Sequence, residues 1–261
     1  MSTALSRITH DTFFHCVGCA VIRVVADSII AFETDRRESI RKRRDNADVG
    51  DRKMISTYGK TDAETVLIQM VDTHDLEEMG SEVSEIKKLS SRDFCLTAVK
   101  IHNWNRDLSP WHASAMFGHE DFGDGAPDML SEVLKICTDR EKRYIIGGYS
   151  LAGLFSLWAV YQTDVFRAAA AASPSLWFPG FIDYMRENRI HTGSVYLSLG
   201  DREEKTRNTL MASVGNRIRE AHAILDDRGI ETTLEWNPGN HFRDTGVRMA
   251  KAFAWVLNRQ P

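Results

Sequence analysis

A serine flanked by small residues stands near the middle of the chain, within residues 148–153 (GYSLAG). The apolar run 144–146 precedes this segment and a second apolar run, 151–161, follows it. This pattern predicts a strand, a sharp turn and a helix, with Ser150 at the turn. A hydroxyl held there lies beside helix N–H groups that can stabilise negative charge on a substrate oxygen. The segment is therefore typical of a nucleophile elbow.

The segment departs from the usual elbow pattern, G-x-S-x-G, at one position. Ala152 stands where the second glycine belongs, and Gly153 follows it. Because alanine adds only a methyl group, we expect the turn to survive. The alternative is an ordinary glycine-rich loop in which Ser150 caps the helix.

A serine hydroxyl becomes a good nucleophile only beside a base, and the base needs a group that fixes its tautomer. One known chain order for such a triad is serine, acid, histidine. His241 fits this order, because it lies in a Pro/Gly loop between a predicted strand, 231–236, and the last predicted helix. His222 is the main alternative but falls within a predicted amphipathic helix. His191 precedes the strand that would carry the acid, which breaks the order.

Three acids compete in the loop that follows Gly200, and they are Asp201, Glu203 and Glu204. The usual arrangement leaves two residues between the glycine and the acid, which favours Glu203. Asp201 stays open as the second choice. The alternative is a solvated acidic loop that caps the next helix.

An oxyanion hole needs two N–H donors, each worth on the order of 3 kcal/mol in the transition state. The backbone of Leu151, next to the serine, is the first candidate. For the second we expect Asn103 or Trp104, in the long loop 102–125. Trp104, Trp111 and Trp177 are candidates for lining an apolar pocket, with core packing as the alternative for each.

Strand and helix patterns alternate from residue 65 onward. The predicted strands are 65–71, 94–101, 144–146, 166–172, 194–199 and 231–236, and the predicted helices are 75–89, 127–137, 151–162, 207–227 and 243–257. Such alternation predicts an α/β fold with a mostly parallel sheet and helices on both faces. Reactive residues then gather at the carboxyl ends of the strands.

Composition excludes several classes of function. With a net charge of −4 and no basic–aromatic stripe, the chain is not expected to bind nucleic acid. Four cysteines are too few for a disulfide scaffold, which predicts free thiols and a cytoplasmic location. The pair Cys16 and Cys19 forms an isolated CxxC without further ligands, so no metal or redox site is expected.

The N-terminal part differs from the rest. Residues 13–32 are apolar, but Arg23 and Asp27 interrupt them, so neither a signal peptide nor a membrane span is expected. Residues 35–53 carry interspersed acids and bases, which weakens the alternative of a basic nucleic-acid or lipid tail. We expect residues 1–55 to be a disordered or non-native extension, with Met54 as a possible true start, and residues 56–261 to form the α/β domain.

Taken together, four segments resemble one known family. They are residues 148–155 (GYSLAGLF), residues 173–177 (SPSLW), Gly200-x-x-Glu203 and residues 106–111 (RDLSPW). From about residue 58 to the C-terminus the chain resembles the esterase D / enterochelin-esterase-like branch of the α/β-hydrolases.

This resemblance implies the α/β-hydrolase fold and a carboxylic-ester hydrolase. It further implies an acyl-enzyme, no cofactor and a small-molecule ester substrate. The branch includes enzymes for siderophore, feruloyl, acyl-sugar and S-formylglutathione esters, so no single ester follows. Because some members are acyltransferases, acyl transfer by the same triad is an alternative. A non-catalytic binding protein on the same scaffold is another.

Overall fold

The computed structural model describes residues 55–116, 119–206 and 208–260. The strands are β1 (Ile55–Gly59), β2 (Thr65–Val71), β3 (Cys95–Lys100), β4 (Arg143–Tyr149), β5 (Phe166–Ala172), β6 (Ser194–Gly200) and β7 (Glu231–Asn237). The helices are α1 (Thr73–Leu89), α2 (Trp104–Asp107), α3 (Ala126–Leu134), α4 (Leu151–Ala159), α5 (Phe181–Glu187), α6 (Thr209–Ala212), α7 (Val214–Asp227) and α8 (Thr245–Leu257). A 3₁₀ turn spans Glu203–Lys205.

The described strands form one sheet in the order β1-β3-β2-β4-β5-β6-β7. Every neighbouring pair is parallel except β1 and β3, which pair antiparallel at the edge. The predicted mostly parallel sheet is confirmed, and the chain has the α/β-hydrolase fold. Because parallel strands all end at the same side, the loops after β4 to β7 meet at one edge of the sheet.

Two apolar layers cover the two faces of this sheet, as predicted. Helices α1 and α8 pack on one face, and α3, α4, α5 and α7 pack on the other. Side chains alternate between the layers along each strand, so Ile145 lies in the first layer and Ile146 in the second. Both are fully buried, because a parallel strand between two helical layers exposes neither face.

Several predicted boundaries were wrong. The helix predicted over 207–227 is divided into α6 and α7 at Ser213, whose hydroxyl donates to the carbonyl of Leu210 and competes with the helical ladder. The loop 102–125 contains α2 and an antiparallel bridge between Ala113 and Phe122. Strand β1 and helix α5 were missed, because both are short and lack a clear apolar period.

The predictions for Cys16, Cys19, Met54, the apolar run 13–32 and the charged run 35–53 fall outside the described residues. Within the described ranges, no helix is long and apolar enough to cross a membrane. Cys95 and Cys137 are free thiols, as predicted.

A buried carboxyl group lies between the sheet and α1. Glu82 is 5% exposed, and Nε2 of Gln69 donates to its Oε2 over 3.3 Å. Burial, with a smaller contribution from the charge of Asp75, raises the pKa of Glu82 from 4.5 to about 8. The amide of Gln69 opposes this shift only in part. The folded protein therefore keeps a proton on Glu82 that the unfolded chain releases near pH 4.5.

This difference predicts a loss of stability as pH rises. Between pH 4.5 and about 8 the folded state binds one more proton than the unfolded state, so the free energy of unfolding falls with pH. Glu82→Gln removes this dependence. From pH 5 to pH 8 the free energy of unfolding of the variant should rise by at least about 1.4 kcal/mol relative to that of the wild type. Urea unfolding at both pH values measures the difference. Glu132→Gln, an exposed change on α3, serves as the control, and equal slopes for both variants would refute the prediction.

Candidate active site

Ser150 lies at a sharp corner between β4 and α4. Its backbone has φ 59° and ψ −120°, a conformation that residues other than glycine rarely adopt. The Ser150 N–H donates to the carbonyl of Ala172 over 3.1 Å, and the N–H of Leu154 donates to the Ser150 carbonyl over 3.0 Å. Hydrogen bonds to β5 and from α4 thus fix the strained backbone of Ser150.

The corner tolerates alanine at position 152 because Gly148 has no side chain. A Cβ at position 148 would lie 2.6 Å from the Ala152 Cβ and 2.5 Å from its carbonyl carbon. The Ala152 methyl fills the space that the glycine leaves, and it is fully buried. Gly153 is also restricted, because a Cβ there would lie 3.0 Å from the Gly148 carbonyl oxygen. The expectation that the turn survives is confirmed.

The structure brings together the three side chains predicted from the sequence. The His241 Nε2 lies 2.9 Å from Oγ of Ser150, and its Nδ1 lies 2.7 Å from Oε2 of Glu203. A carboxylate can only accept, so the proton of a neutral imidazole belongs on Nδ1. The Nε2 atom is then free to accept the Ser150 proton. This is the geometry of a serine, its base and the group that orients the base.

The three competing acids occupy different places. Oδ1 of Asp201 accepts the N–H of Gly239 over 2.8 Å and so supports the loop that carries the histidine. Glu204 forms a two-point ion pair with Arg219 at the surface, at 2.8 and 3.0 Å. Only Glu203 contacts the imidazole. Asp201 therefore takes a supporting position in the same assembly.

The alternative histidines lie elsewhere. His222 is part of α7, and His191 is an exposed residue whose N–H donates to the carbonyl of Val160.

The second oxygen of Glu203, Oε1, accepts three further hydrogen bonds. The donors are the Gly200 N–H at 2.7 Å, the Ser173 hydroxyl at 2.9 Å and Nη1 of Arg248 at 3.0 Å. Burial works to raise the pKa of Glu203. Hydrogen bonds from His241, Gly200 and Ser173, with the charge of His241, outweigh burial and hold this pKa below its ordinary value. Glu203 is thus an anion at neutral pH.

Gly200 makes room for this cluster. A Cβ at position 200 would lie 2.8 Å from Oε1 of Glu203 and 3.0 Å from Nη1 of Arg248. Because Gly200 has only a hydrogen atom there, the Glu203 carboxylate and the Arg248 guanidinium have room to contact each other.

Arg248, which the sequence analysis missed, is 1% exposed at the start of α8. Nη1 donates to the Tyr149 hydroxyl over 2.9 Å as well as to Glu203. Nη2 donates to the carbonyls of Pro238 and Asn240, over 3.2 and 2.9 Å. The guanidinium therefore joins the acid to the loop that carries the histidine. An arginine on the apolar face of a helix is the sequence signal that could have revealed it.

Two serines after β5 were also missed as site residues, although their segment was noted. Ser173 donates to Glu203, and Oγ of Ser175 lies 3.2 Å from Oγ of Ser150. Both are buried to 1% exposure. One short segment therefore contacts the acid and the serine of the same cluster.

Tyr149 also contacts the histidine. Its hydroxyl donates to the His241 carbonyl over 2.7 Å, and its ring centroid lies 5.2 Å from that of the imidazole.

The Leu151 N–H stands at the first position of α4, next to Ser150, and has no acceptor among the described residues. The second donor was expected to be Asn103 or Trp104. The Asn103 N–H donates to Oδ2 of Asp107 over 3.1 Å, so this group is occupied. The Trp104 N–H has no acceptor within the described ranges, and its role stays a prediction.

The order of the strands points to a further candidate. Strand β2 adjoins β4, whereas β3, which precedes Trp104, lies one strand further away. Thr73 begins α1 directly after β2, and its N–H has no acceptor in the described part of the chain. The strand order therefore favours Thr73 over Trp104 as the second donor.

The three tryptophans proposed as pocket-lining residues are half-buried and pack against the core. Trp111 packs against Phe178 and donates to the Pro179 carbonyl over 3.0 Å. Trp177 contacts Phe122. Contacts with the core therefore bury much of the surface of these tryptophans. Across the described ranges, no group of three or more His, Cys, Asp or Glu side chains is arranged to hold a metal.

No protein-family model matches the sequence, and no curated protein matches it. Solved structures do share the fold. The siderophore hydrolase EstA from Aspergillus nidulans superposes with a TM-score of 0.57 at 15% identity, covering 82% of this chain and 99% of EstA. The enterobactin hydrolase IroE, in complex with DFP, gives 0.56 at 18% identity, covering 78% and 86%. The enterobactin esterase FES from Shigella flexneri gives 0.50 at 13%, covering 77% and 55%.

These likenesses agree with the α/β-hydrolase fold read from the sheet. The chain spans about half the length of FES. At identities this low they establish the fold alone, so the chemistry of the site has to be argued from its own residues.

The burial of Arg248 predicts a large effect on stability. Arg248→Met leaves Glu203 as a buried anion without its cationic partner, which should lower the free energy of unfolding by about 3–5 kcal/mol. Arg243→Met, at an exposed ion pair with Asp244 near the start of the same helix, should change it by less than about 0.5 kcal/mol. Urea unfolding at pH 7 compares the two variants. Similar small losses in both would contradict the role given to Arg248.

Proposed function

We propose that the protein is a serine hydrolase that cleaves carboxylic esters through an acyl-enzyme. The observation that carries this proposal is the chain of short contacts from Glu203 through His241 to Ser150, at 2.7 and 2.9 Å. A protein that only bound its ligand would not need a strained serine within hydrogen-bond distance of an oriented imidazole. We favour catalysis over binding on this ground.

In the first half of the reaction, Ser150 Oγ attacks the acyl carbon of the ester. The Ser150 proton moves to Nε2 of His241 as the new C–O bond forms. Glu203 keeps its charge and stabilises the imidazolium through Nδ1–H. The Leu151 N–H and a second backbone donor, which we assign to Thr73, bind the oxygen that becomes negative.

The tetrahedral intermediate then collapses. Nε2–H of His241 protonates the departing alkoxide, which leaves as an alcohol, and an acyl-Ser150 ester remains. In the second half, His241 takes a proton from water, whose oxygen attacks the acyl carbon. Collapse of the second intermediate returns the proton to Oγ of Ser150 and releases the carboxylic acid. An alcohol in place of water would give acyl transfer by the same steps.

We propose small-molecule esters as the substrate class. EstA is a siderophore hydrolase and FES an enterobactin esterase, so a siderophore ester belongs in the first substrate panel beside short-chain and aromatic esters. Products analysed with and without added glycerol separate hydrolysis from acyl transfer.

Removal of the nucleophile should abolish activity. Ser150→Ala is expected to lower hydrolysis of p-nitrophenyl acetate by about 10⁴-fold or more and to prevent labelling by a fluorophosphonate. Ser156→Ala is the matched control, because Ser156 is a fully buried serine on α4 whose hydroxyl donates to the Ala152 carbonyl, away from Ser150. Rapid labelling of a folded Ser150→Ala protein, or no labelling of the folded wild type, would refute the proposal.

The two acids of the loop after β6 should differ in effect. Glu203→Gln removes the anion that holds the His241 tautomer and should lower kcat by about 10²–10⁴-fold. Asp201→Asn loosens the bond to Gly239 without touching the imidazole, and should lower kcat by less than about tenfold. Steady-state kinetics on p-nitrophenyl butyrate compares the two. A larger loss in Asp201→Asn would reassign the acid.

A further inference from the structure

A second hydroxyl contacts the nucleophile. Oγ of Ser175 lies 3.2 Å from Oγ of Ser150, and no other hydrogen bond of this hydroxyl is found within the described residues. Resting on the proposed function, we propose that Ser175 is a further catalytic residue. It donates a hydrogen bond to the attacking oxygen of Ser150 and stabilises the negative charge that develops there.

The direction of this bond follows from the protons available. Glu203 fixes the His241 proton on Nδ1, so the only proton of the Ser150 hydroxyl is donated to Nε2 at 2.9 Å. Ser150 can then offer only a lone pair to Ser175. The Ser175 hydroxyl is therefore the donor, and it points its proton at the atom that attacks the substrate.

The backbone holds Ser175 in this position. Its N–H donates to the Ser150 carbonyl over 3.1 Å, so residue 175 contacts residue 150 through both the main chain and the side chain. Ser173, at φ 42°, turns the chain after β5, and Pro174 fixes the next φ angle. At 1% exposure, Ser175 is almost wholly removed from solvent.

The bond changes in strength along the reaction. As the Ser150 proton leaves for Nε2, charge grows on Oγ and the bond from Ser175 strengthens. In the acyl-enzyme the same Oγ is an ester oxygen, which accepts poorly, and the bond weakens. When Oγ leaves the acyl carbon in the second half, charge returns and the bond strengthens again. The Ser175 O–H bond never breaks, so the number of protons is unchanged. The hydrogen bond stabilises the transition states of both half-reactions.

Ser175→Ala tests this inference. We expect kcat for p-nitrophenyl acetate to fall by about tenfold, with KM changed by less than about threefold, because the bond acts on the transition state. The rate of fluorophosphonate labelling should fall by the same factor. Ser156→Ala removes an equally buried hydroxyl from α4 and should leave both rates within about twofold of the wild type.

The outcomes separate the two proposals. An inactive, unlabelled wild type would remove the proposed function itself. An active wild type with Ser175→Ala within twofold of it would overturn the role of Ser175 and leave the esterase intact. If Ser175→Ala unfolds at the assay temperature, Ser175→Cys takes its place, because a thiol keeps the bulk of the side chain but donates weakly. A folded Ser175→Cys protein with wild-type kcat would equally overturn the inference.

Discussion

The buried ion pair between Glu203 and Arg248 is the interaction on which the rest of the site depends. The two side chains are 5% and 1% exposed and meet at 3.0 Å. An isolated carboxylate at this depth would take up a proton, and a neutral acid could not orient an imidazole in the same way. Hydrogen bonds from His241, Gly200 and Ser173 hold the pKa of Glu203 below its ordinary value, and the guanidinium pairs with the resulting anion. Oε2 is left to the histidine.

The same guanidinium supports the loop that carries His241. By donating to two loop carbonyls and to the Tyr149 hydroxyl, Arg248 connects α8, the acid and the residue next to Ser150. Tyr149 in turn holds the His241 carbonyl. One cation thus satisfies acceptors from several loops at the carboxyl edge of the sheet. Nη1 and Nη2 both have partners, which offsets part of the cost of burying the cation, while the buried Nε has none among the described residues.

Local patterns in the sequence were sufficient for part of this site. Ser150, Glu203 and His241 each follow a strand at a recognisable glycine-containing turn, and their chain order fits a triad, so spacing alone brought them together. The strands other than β1 were found to within a few residues; β2 to β6 are buried along most of their length, whereas β7 is only partly buried.

The missing parts depend on contacts between distant segments. Arg248 and Glu203 are 45 residues apart, and only the packing of α8 against the sheet shows that they meet. The second oxyanion donor was sought after β3, because periodicity finds strands but does not order them. The observed order makes β2 the neighbour of β4 and therefore favours Thr73 as this donor. The break at Ser213 likewise depends on a side-chain hydrogen bond, from its hydroxyl to the Leu210 carbonyl, which apolar spacing does not report.

The segment after β5 explains how Glu203 and Ser150 stay in register. Ser173 contacts the acid and Ser175 contacts the nucleophile, with one proline between them. Because Pro174 has a fixed φ and Ser173 adopts a positive one, the spacing of the two hydroxyls is set by the backbone and not by flexible side chains. A shift of this segment would disturb Glu203 and Ser150 together. His241 thus lies within hydrogen-bond distance of both Glu203 and Ser150, at 2.7 and 2.9 Å.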